Sequence, residues 1–292
     1  SSDIIKAVTN VTPLTKMLSE FKVEEKTSNY VSSKYPALHV VVDTAIRIDA
    51  ECKSVTVSSG RVIEYEKLCL CSGASPKIIY PENEHIIGIR DTDSAKVLQK
   101  KLAHAKRILV VGNGGIATEI VYEIEGVDIV WIVKDKHISA AFVDPGAAEF
   151  FQNSLNKSEQ KKEVVIKTHS FIEGNDFKSS GKGAALGPNW HNNIILKNVQ
   201  GNSSKVTIEY EAEIVSITPE RLVENEDWPV FVKLSNDKIY GCDFVVSATG
   251  VIPNGGSIIL ENEQFNFAND GGIKVNERME TNIHDIYAAG DV

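Results

Sequence analysis

The sequence predicts an α/β protein, and three observations carry that prediction. The first is Ile108-Leu-Val-Val-Gly112-Asn-Gly114-Gly115-Ile116-Ala117-Thr-Glu119, in which an apolar run enters a glycine-rich turn and continues as a helical pattern. The second is a further apolar run, Asp128-Ile-Val-Trp-Ile-Val133, which closes a βαβ unit behind it. The third is a set of apolar strands ending in small residues: Leu70-Cys-Ser-Gly73-Ala74-Ser-Pro76, Phe244-Val-Val-Ser-Ala-Thr-Gly250-Val-Ile-Pro-Asn254 and Ile286-Tyr-Ala-Ala-Gly290-Asp291. In open α/β sheets, ligands sit at such carboxyl ends.

Each element has its own warrant. Gly112 and Gly114 allow a tight turn and the close backbone approach of a pyrophosphate, and small Ala117 lets the following helix pack on the sheet. The helix start then presents unpaired N–H groups and a partial positive charge to the phosphates. Upstream, Leu38–Val42, Val55–Val57 and Lys67–Cys71 read as strands, with Ser59-Gly60 as a turn before the last of them. Acidic residues ahead of an apolar-periodic stretch predict a helix over Asp91–Leu102. Pro145 to Leu155 reads as another helix, with proline in its first turn. Residues 158–206 turn polar and read as an exposed insertion. Within it, Gly181-Lys182-Gly183 lacks the spacing of a phosphate loop, and Trp190 with His191 reads as an anchored loop that could alternatively line a site.

Composition narrows the class. A length of 292 residues suits about two domains, and 42% hydrophobic with 24% charged residues is that of a globular protein. A formal net charge of -9 argues against a general nucleic-acid or anionic-membrane surface. No apolar run reaches transmembrane length, and no signal peptide is legible at Ser1-Ser-Asp. Cys52, Cys69, Cys71 and Cys242 show no metal-ligand spacing and no Cys-x-x-Cys pair, so no metal site is expected. Cys69 and Cys71 are expected to turn to opposite faces of their strand and to remain unbonded.

The ordered set Cys-Ser-Gly73-Ala74-Ser-Pro, Gly112-Asn-Gly-Gly-Ile-Ala-Thr-Glu119, Ala-Thr-Gly250-Val-Ile-Pro-Asn and Ile-Tyr-Ala-Ala-Gly290-Asp291 resembles the pyridine nucleotide-disulphide oxidoreductases. The resemblance implies two Rossmann-like domains, with an NAD(P)-binding domain at 106–240 inserted in a discontinuous FAD-binding domain at 1–105 and 241–292. It places Gly73 and Ala74 beside FAD, and Gly290 with Asp291 on its ribityl or pyrophosphate region. Ile46 would present backbone to the adenine and Arg90 would lie near the flavin cofactor, although a plain strand role for Ile46 and a surface salt bridge for Arg90 are the alternatives. Gly112, Gly114, Gly115 and Ile116 would cradle NAD(P)H. Glu119 would stand near the nicotinamide end and Gly250 beside the same cofactor.

The departures from the family pattern matter as much. The family's first glycine motif for FAD is not in this sequence, so either residues ahead of Ser1 were trimmed or the FAD site is incomplete, and the intact later FAD motifs favour trimming; the family's C-terminal domain is not in this sequence either. Neither family placement of redox cysteines is met, so direct disulphide reduction is not expected and no catalytic side chain is assigned. The acid that would bind the adenosine ribose falls on Val133; Lys134 can meet a 2′-phosphate, whereas Asp135 can reach a hydroxyl. The resemblance therefore implies an FAD enzyme that takes hydride from NAD(P)H, EC 1.8.1-like or another EC 1 class, with its acceptor open. An animal branch of the family further implies a nuclear and cytoplasmic setting and protection of a tRNA ligase complex from oxidation. A non-enzymatic protein whose partner binding is gated by its cofactors is the alternative.

Overall fold

The computed structural model describes residues 4–13, 19–140, 205–224 and 226–292. The expected helix at 145–155, nearly all of the polar insertion, and Trp190 and His191 lie outside them. In chain order the elements open with β1 (Ile4–Pro13), β2 (Ser19–Thr27), α1 (Ser28–Lys34), β3 (Ala45–Asp49), β4 (Ser54–Val57), β5 (Val62–Glu64), β6 (Leu68–Leu70) and β7 (Ala74–Pro76). Then follow β8 (Ile86–Gly88), α2 (Thr92–Leu102), β9 (Arg107–Val111), α3 (Gly115–Glu123), β10 (Asp128–Ile132) and β11 (Val206–Glu209). The chain continues through β12 (Ile214–Thr218), β13 (Val230–Leu234), β14 (Ile239–Cys242), β15 (Phe244–Ser247), β16 (Val251–Pro253), β17 (Ile259–Leu260) and β18 (Ile286–Ala288).

The chain forms two compact units. One comprises Ile4–Lys26 and Pro76–Gly250; the other includes Thr27–Ser75 and Val251–Val292. Residues 76–105 and 241–250, expected with the FAD domain, thus pack in the unit of the glycine turn. The cause is β-pairing: β15 lies between β8 and β9 in one sheet.

That sheet has the order β11-β10-β9-β15-β8 and is parallel throughout. Its strands read as unbroken apolar runs because both faces are covered. On one face Ile108 and Val110 of β9, Ile129 and Trp131 of β10, and Phe244 and Val246 of β15 meet Leu98 and Leu102 of α2 and Ala117, Ile120 and Val121 of α3. On the other, Leu109, Val130, Ile132 and Val245 meet Val230, Val232 and Leu234 of the antiparallel β12-β13-β14 sheet. Strand alternation sorts the two sets, since neighbouring side chains point to opposite faces. Helix α2 starts as its sequence predicts, with Asp91 accepting from Ser94 N at 2.8 Å and Ser94 Oγ accepting from Asp91 N at 2.9 Å.

A buried carboxylate fastens β11 to the hairpin of β13 and β14. Glu209, 5% exposed, accepts from Lys238 Nζ at 2.8 Å, Asn236 Nδ2 at 3.0 Å and the Tyr240 hydroxyl. Burial works to raise its pKa, but Lys238, Tyr240 and Asn236 together outweigh burial and hold it below the usual value. A depressed carboxylate contributes stability above its unfolded pKa, about 4.3, and loses it as pH falls through the lower native value. Lys238→Met leaves this charge buried without its cation, and about 1–2 kcal/mol of stability is expected to go at pH 7. Urea denaturation at pH 7 and pH 3 checks this, the difference shrinking at the lower pH.

The other unit is built on the antiparallel β3-β4-β5 meander, joined by β17 alongside β3, and on the parallel pair β6-β18. Ile48, Leu70, Phe265, Ile283, Ile286 and Ala288 form its core. Leu38–Val42 is not a strand, contrary to expectation. Leu38 turns back on Tyr35, its N–H donating to the Tyr35 carbonyl at 2.8 Å, and Leu38 and Val42 are about half exposed.

Candidate cofactor sites

Gly112 ends β9 under an unusual constraint. Its φ is +132°, and a Cβ there would stand 2.1 Å from the carbonyl oxygen of Ala248 and 2.6 Å from its carbon. The ends of β9 and β15 run side by side at this point, with Ser247 paired to Val111 and Ala248 N donating to Val111 O at 2.8 Å. Glycine is required here chiefly by a neighbouring strand. Gly114 and Gly115 differ: among the described residues, nothing lies within 4 Å of a Cβ at either.

Gly114 is the N-cap of α3, which begins at Gly115 and carries no side-chain cap hydrogen bond. The first-turn N–H groups of Gly115, Ile116 and Ala117 thus face an open approach where an anion gains most. Those residues fit a dinucleotide phosphate. The Ile116 side chain is partly buried against the core. Glu119 is exposed four residues after Gly115, on the same helix face. Gly250, at φ +101°, lies three residues beyond β15, its carbonyl accepting from Lys77 N at 2.9 Å.

Two partners of this turn carried no role in the sequence reading. Trp131 is fully buried and donates from Nε1 to the Gly112 carbonyl at 2.7 Å. Asn113 donates from Nδ2 to Asp135 Oδ2 at 2.7 Å and to His137 O at 2.9 Å, and accepts from Ser139 N. Thr118 Oγ1 adds a 2.8 Å contact to Ser139 Oγ, and together these hold Ser139 buried at φ +53°. Asparagine's habit of bonding nearby backbone was the available signal. Val133 is wholly buried and so offers no ribose ligand. Lys134, after it, pairs with Glu213 at 2.6 Å on an exposed surface, and that hydrogen bond raises its pKa.

In the other unit, Gly73 and Gly290 have φ of +62° and +83°, and nothing would crowd a Cβ at either. Strand β6 pairs with β18, and Ala289 N donates to Leu70 O at 3.0 Å, so the two small-residue strand ends emerge together. Asn254 fixes one of them. Its N–H donates to Gly73 O at 2.9 Å, its Nδ2 to Ser72 O at 3.1 Å, and its Oδ1 accepts from Ser75 Oγ at 2.8 Å. Ile46 falls at a β-bulge between Ala45 and Arg47, where a backbone leaves the ladder. This open, glycine-lined edge with the exposed carboxylate of Asp291 fits the hydroxyls and phosphates of a second dinucleotide. Arg90 precedes α2, its N–H donating to Ser94 Oγ at 2.9 Å.

Cys69 and Cys71 also require correction. Their sulfurs stand 3.5 Å apart, because strand side chains repeat every second residue and positions i and i+2 share a face. Among the described residues no cluster of three His, Cys, Asp or Glu could hold a metal, and no helix is long and apolar enough to cross a membrane.

Comparison with known proteins decides the family. The model of pyridine nucleotide-disulphide oxidoreductases matches residues 6–182 and 192–292. The chain belongs to that family. It is 43% identical over 306 residues to the pyridine nucleotide-disulfide oxidoreductase domain-containing protein 1 of Danio rerio, covering all of this chain and 62% of that one. The protein of the same name from Homo sapiens is 41% identical, with all of this chain and 63% of the relative covered. The chain thus spans somewhat under two thirds of these relatives. Among solved structures, a ferredoxin reductase from Rhodopseudomonas palustris superposes with a TM-score of 0.62 at 21% identity, over 91% of this chain and 53% of that one. The fold is that of FAD- and NAD(P)-binding oxidoreductases, and FAD with NAD(P)H are the cofactors of the family.

Proposed function

We propose that the protein is an FAD-dependent oxidoreductase that draws hydride from NAD(P)H. The observation that carries this reading is the uncapped start of α3, open in front of Gly114 and Gly115 at the carboxyl edge of a parallel sheet. When bound, flavin supplies a hydride acceptor and an electron relay. The protein's own residues bind and orient. The N–H groups of Gly115 to Ala117 take a pyrophosphate, Asn113 shapes the loop that follows β10, and Glu119 stands at the mouth of the site. Gly73, Ala74, Gly290 and the Asp291 carboxylate would receive FAD, with Asn254 holding the strand end in place. We assign no side chain as nucleophile or general acid.

The cofactor choice follows from which side chains beside the turn are already engaged. Lys134 is neutralised by Glu213 at 2.6 Å, while Asp135 contributes a carboxylate beside the turn. Asp135 can bond a ribose hydroxyl whereas Lys134 is already engaged by Glu213, so we propose NADH as the preferred donor. The test is the visible spectrum of full-length flavoprotein titrated anaerobically with each nucleotide. Bleaching by NADH at a concentration at least about tenfold below that of NADPH, roughly 1.4 kcal/mol, is expected. Retained flavin that neither nucleotide bleaches would leave a cofactor-gated interaction protein instead.

The physiological role we assign is protection of a tRNA ligase complex from oxidation in nucleus and cytoplasm, on the resemblance to an animal branch of the family. Ligase activity after peroxide challenge, with and without the protein and NADH, tests it; equal loss in both arms overturns it.

A further inference from the structure

The thiols of Cys69 and Cys71 lie 3.5 Å apart on one face of β6 and its end, and both are exposed. The other two cysteines offer a contrast. Cys242 is fully buried, and burial holds its thiol far above the ordinary range; Cys52 stands alone beside Asp49, which raises its pKa. We propose that Cys69 and Cys71 form a peroxide-sensitive vicinal dithiol that closes reversibly to an intrachain disulfide.

Geometry supports both closure and reopening. Disulfide sulfurs lie about 2.05 Å apart, so closure requires an approach of about 1.5 Å. Residues two apart along a strand have Cα atoms separated by about 6.6 Å, near the upper end of the disulfide range. A bond made there is strained, and strained, exposed disulfides are the readily reduced ones. The chemistry balances with peroxide as oxidant. One thiolate attacks peroxide, an S–O bond forms as O–O breaks, and hydroxide leaves. The second thiolate then attacks the sulfenic sulfur, S–S forms as S–O breaks, and oxygen leaves as hydroxide. Taken with the two thiol protons, the products are one disulfide and two waters, and a small-molecule dithiol restores both thiols.

Burial, then the hydrogen bond with Cys69, raises the Cys71 thiol above its ordinary value. The Cys71 thiol is therefore largely protonated at pH 7, and closure is expected to quicken as pH rises. The position gives the bond a consequence. Cys69 pairs with Tyr287 of β18, and Cys71 stands two residues before Gly73, whose carbonyl is fixed by Asn254. Contraction between residues 69 and 71 would pull on the strand end that flanks the proposed FAD edge.

The test uses full-length protein treated with hydrogen peroxide, trapped with N-ethylmaleimide and read by peptide mass spectrometry. The expected result is loss of both alkylation sites on the peptide holding Cys69 and Cys71, recovered by dithiothreitol, and absent in Cys69→Ser and Cys71→Ser while Cys52→Ser behaves as wild type. Persistence of both free thiols, or irreversible sulfinic acid in place of the bond, overturns the proposal. Part of its consequence rests on the oxidoreductase reading, but mass is indifferent to hydride transfer. A protein that closes the bond yet does not bleach with NADH fails only that reading.

Discussion

Gly112→Ala is expected to cost roughly 3 kcal/mol or more and to abolish NADH-dependent bleaching, whereas Gly114→Ala should leave the fold almost intact and lose the nucleotide. The two glycines stand two residues apart in one motif, and their surroundings differ. A methyl group at Gly112 would meet the Ala248 carbonyl at 2.1 Å, and its φ of +132° disfavours any side chain. Neither strand can yield, because β9 is held between β10 and β15 with both faces packed. Overlap is relieved only by parting β9 from β15 where the turn begins. At Gly114 the backbone is extended, with φ -93° and ψ -177°, and open space lies where a Cβ would project. Alanine there costs about 1 kcal/mol at most as an N-cap, but fills the approach to the α3 N–H groups. Thermal melts and NADH titrations of both variants separate the cases. Equal loss of stability would mean that the open face of Gly114 is not where a ligand arrives.

The contrast shows which parts of the site were legible. Spacing alone marks both glycines, and strand, turn and helix follow from Ile108 to Glu119 because local pattern and tertiary packing agree there. The reason for Gly112 was not legible, since Ala248 is 136 residues away in sequence and only pairing of β9 with β15 brings it close. The same non-local pairing moved residues 76–105 and 241–250 into this unit. Asn113 occupies a position that the motif leaves free, so its grip on Asp135 and the Ser139 backbone had no spacing signal. The β12-β13-β14 sheet was missed, although Val230-Phe-Val-Lys-Leu234 and the turn at Asn236-Asp237, with Asp237 at φ +63°, carry strand and hairpin signals. In the other direction, Leu38–Val42 has strand composition without a strand, because it pairs with no strand among the described residues. Composition states that a segment can pair; topology decides whether it does.

Trp131→Ala is expected to cost about 4 kcal/mol, near the top of the range for large core truncations, and Trp131→Phe roughly 1–2 kcal/mol. The indole is wholly buried between α3 and the sheet, so alanine leaves a large void against Ile108, Val110 and the helix. Phenylalanine restores most of the apolar volume but no donor, and the Gly112 carbonyl loses its 2.7 Å partner. That carbonyl belongs to the peptide whose orientation sets the path into Asn113 and Gly114. The conservative variant should therefore weaken NADH binding by about tenfold or more while its melting temperature falls by only a few degrees. Urea denaturation gives the stability half of the comparison, and anaerobic NADH titration gives the other. An unchanged NADH affinity in Trp131→Phe would reduce the indole to core filling. A loss exceeding the change in stability would establish that a buried donor, one strand away, holds the glycine turn in the form that receives the cofactor.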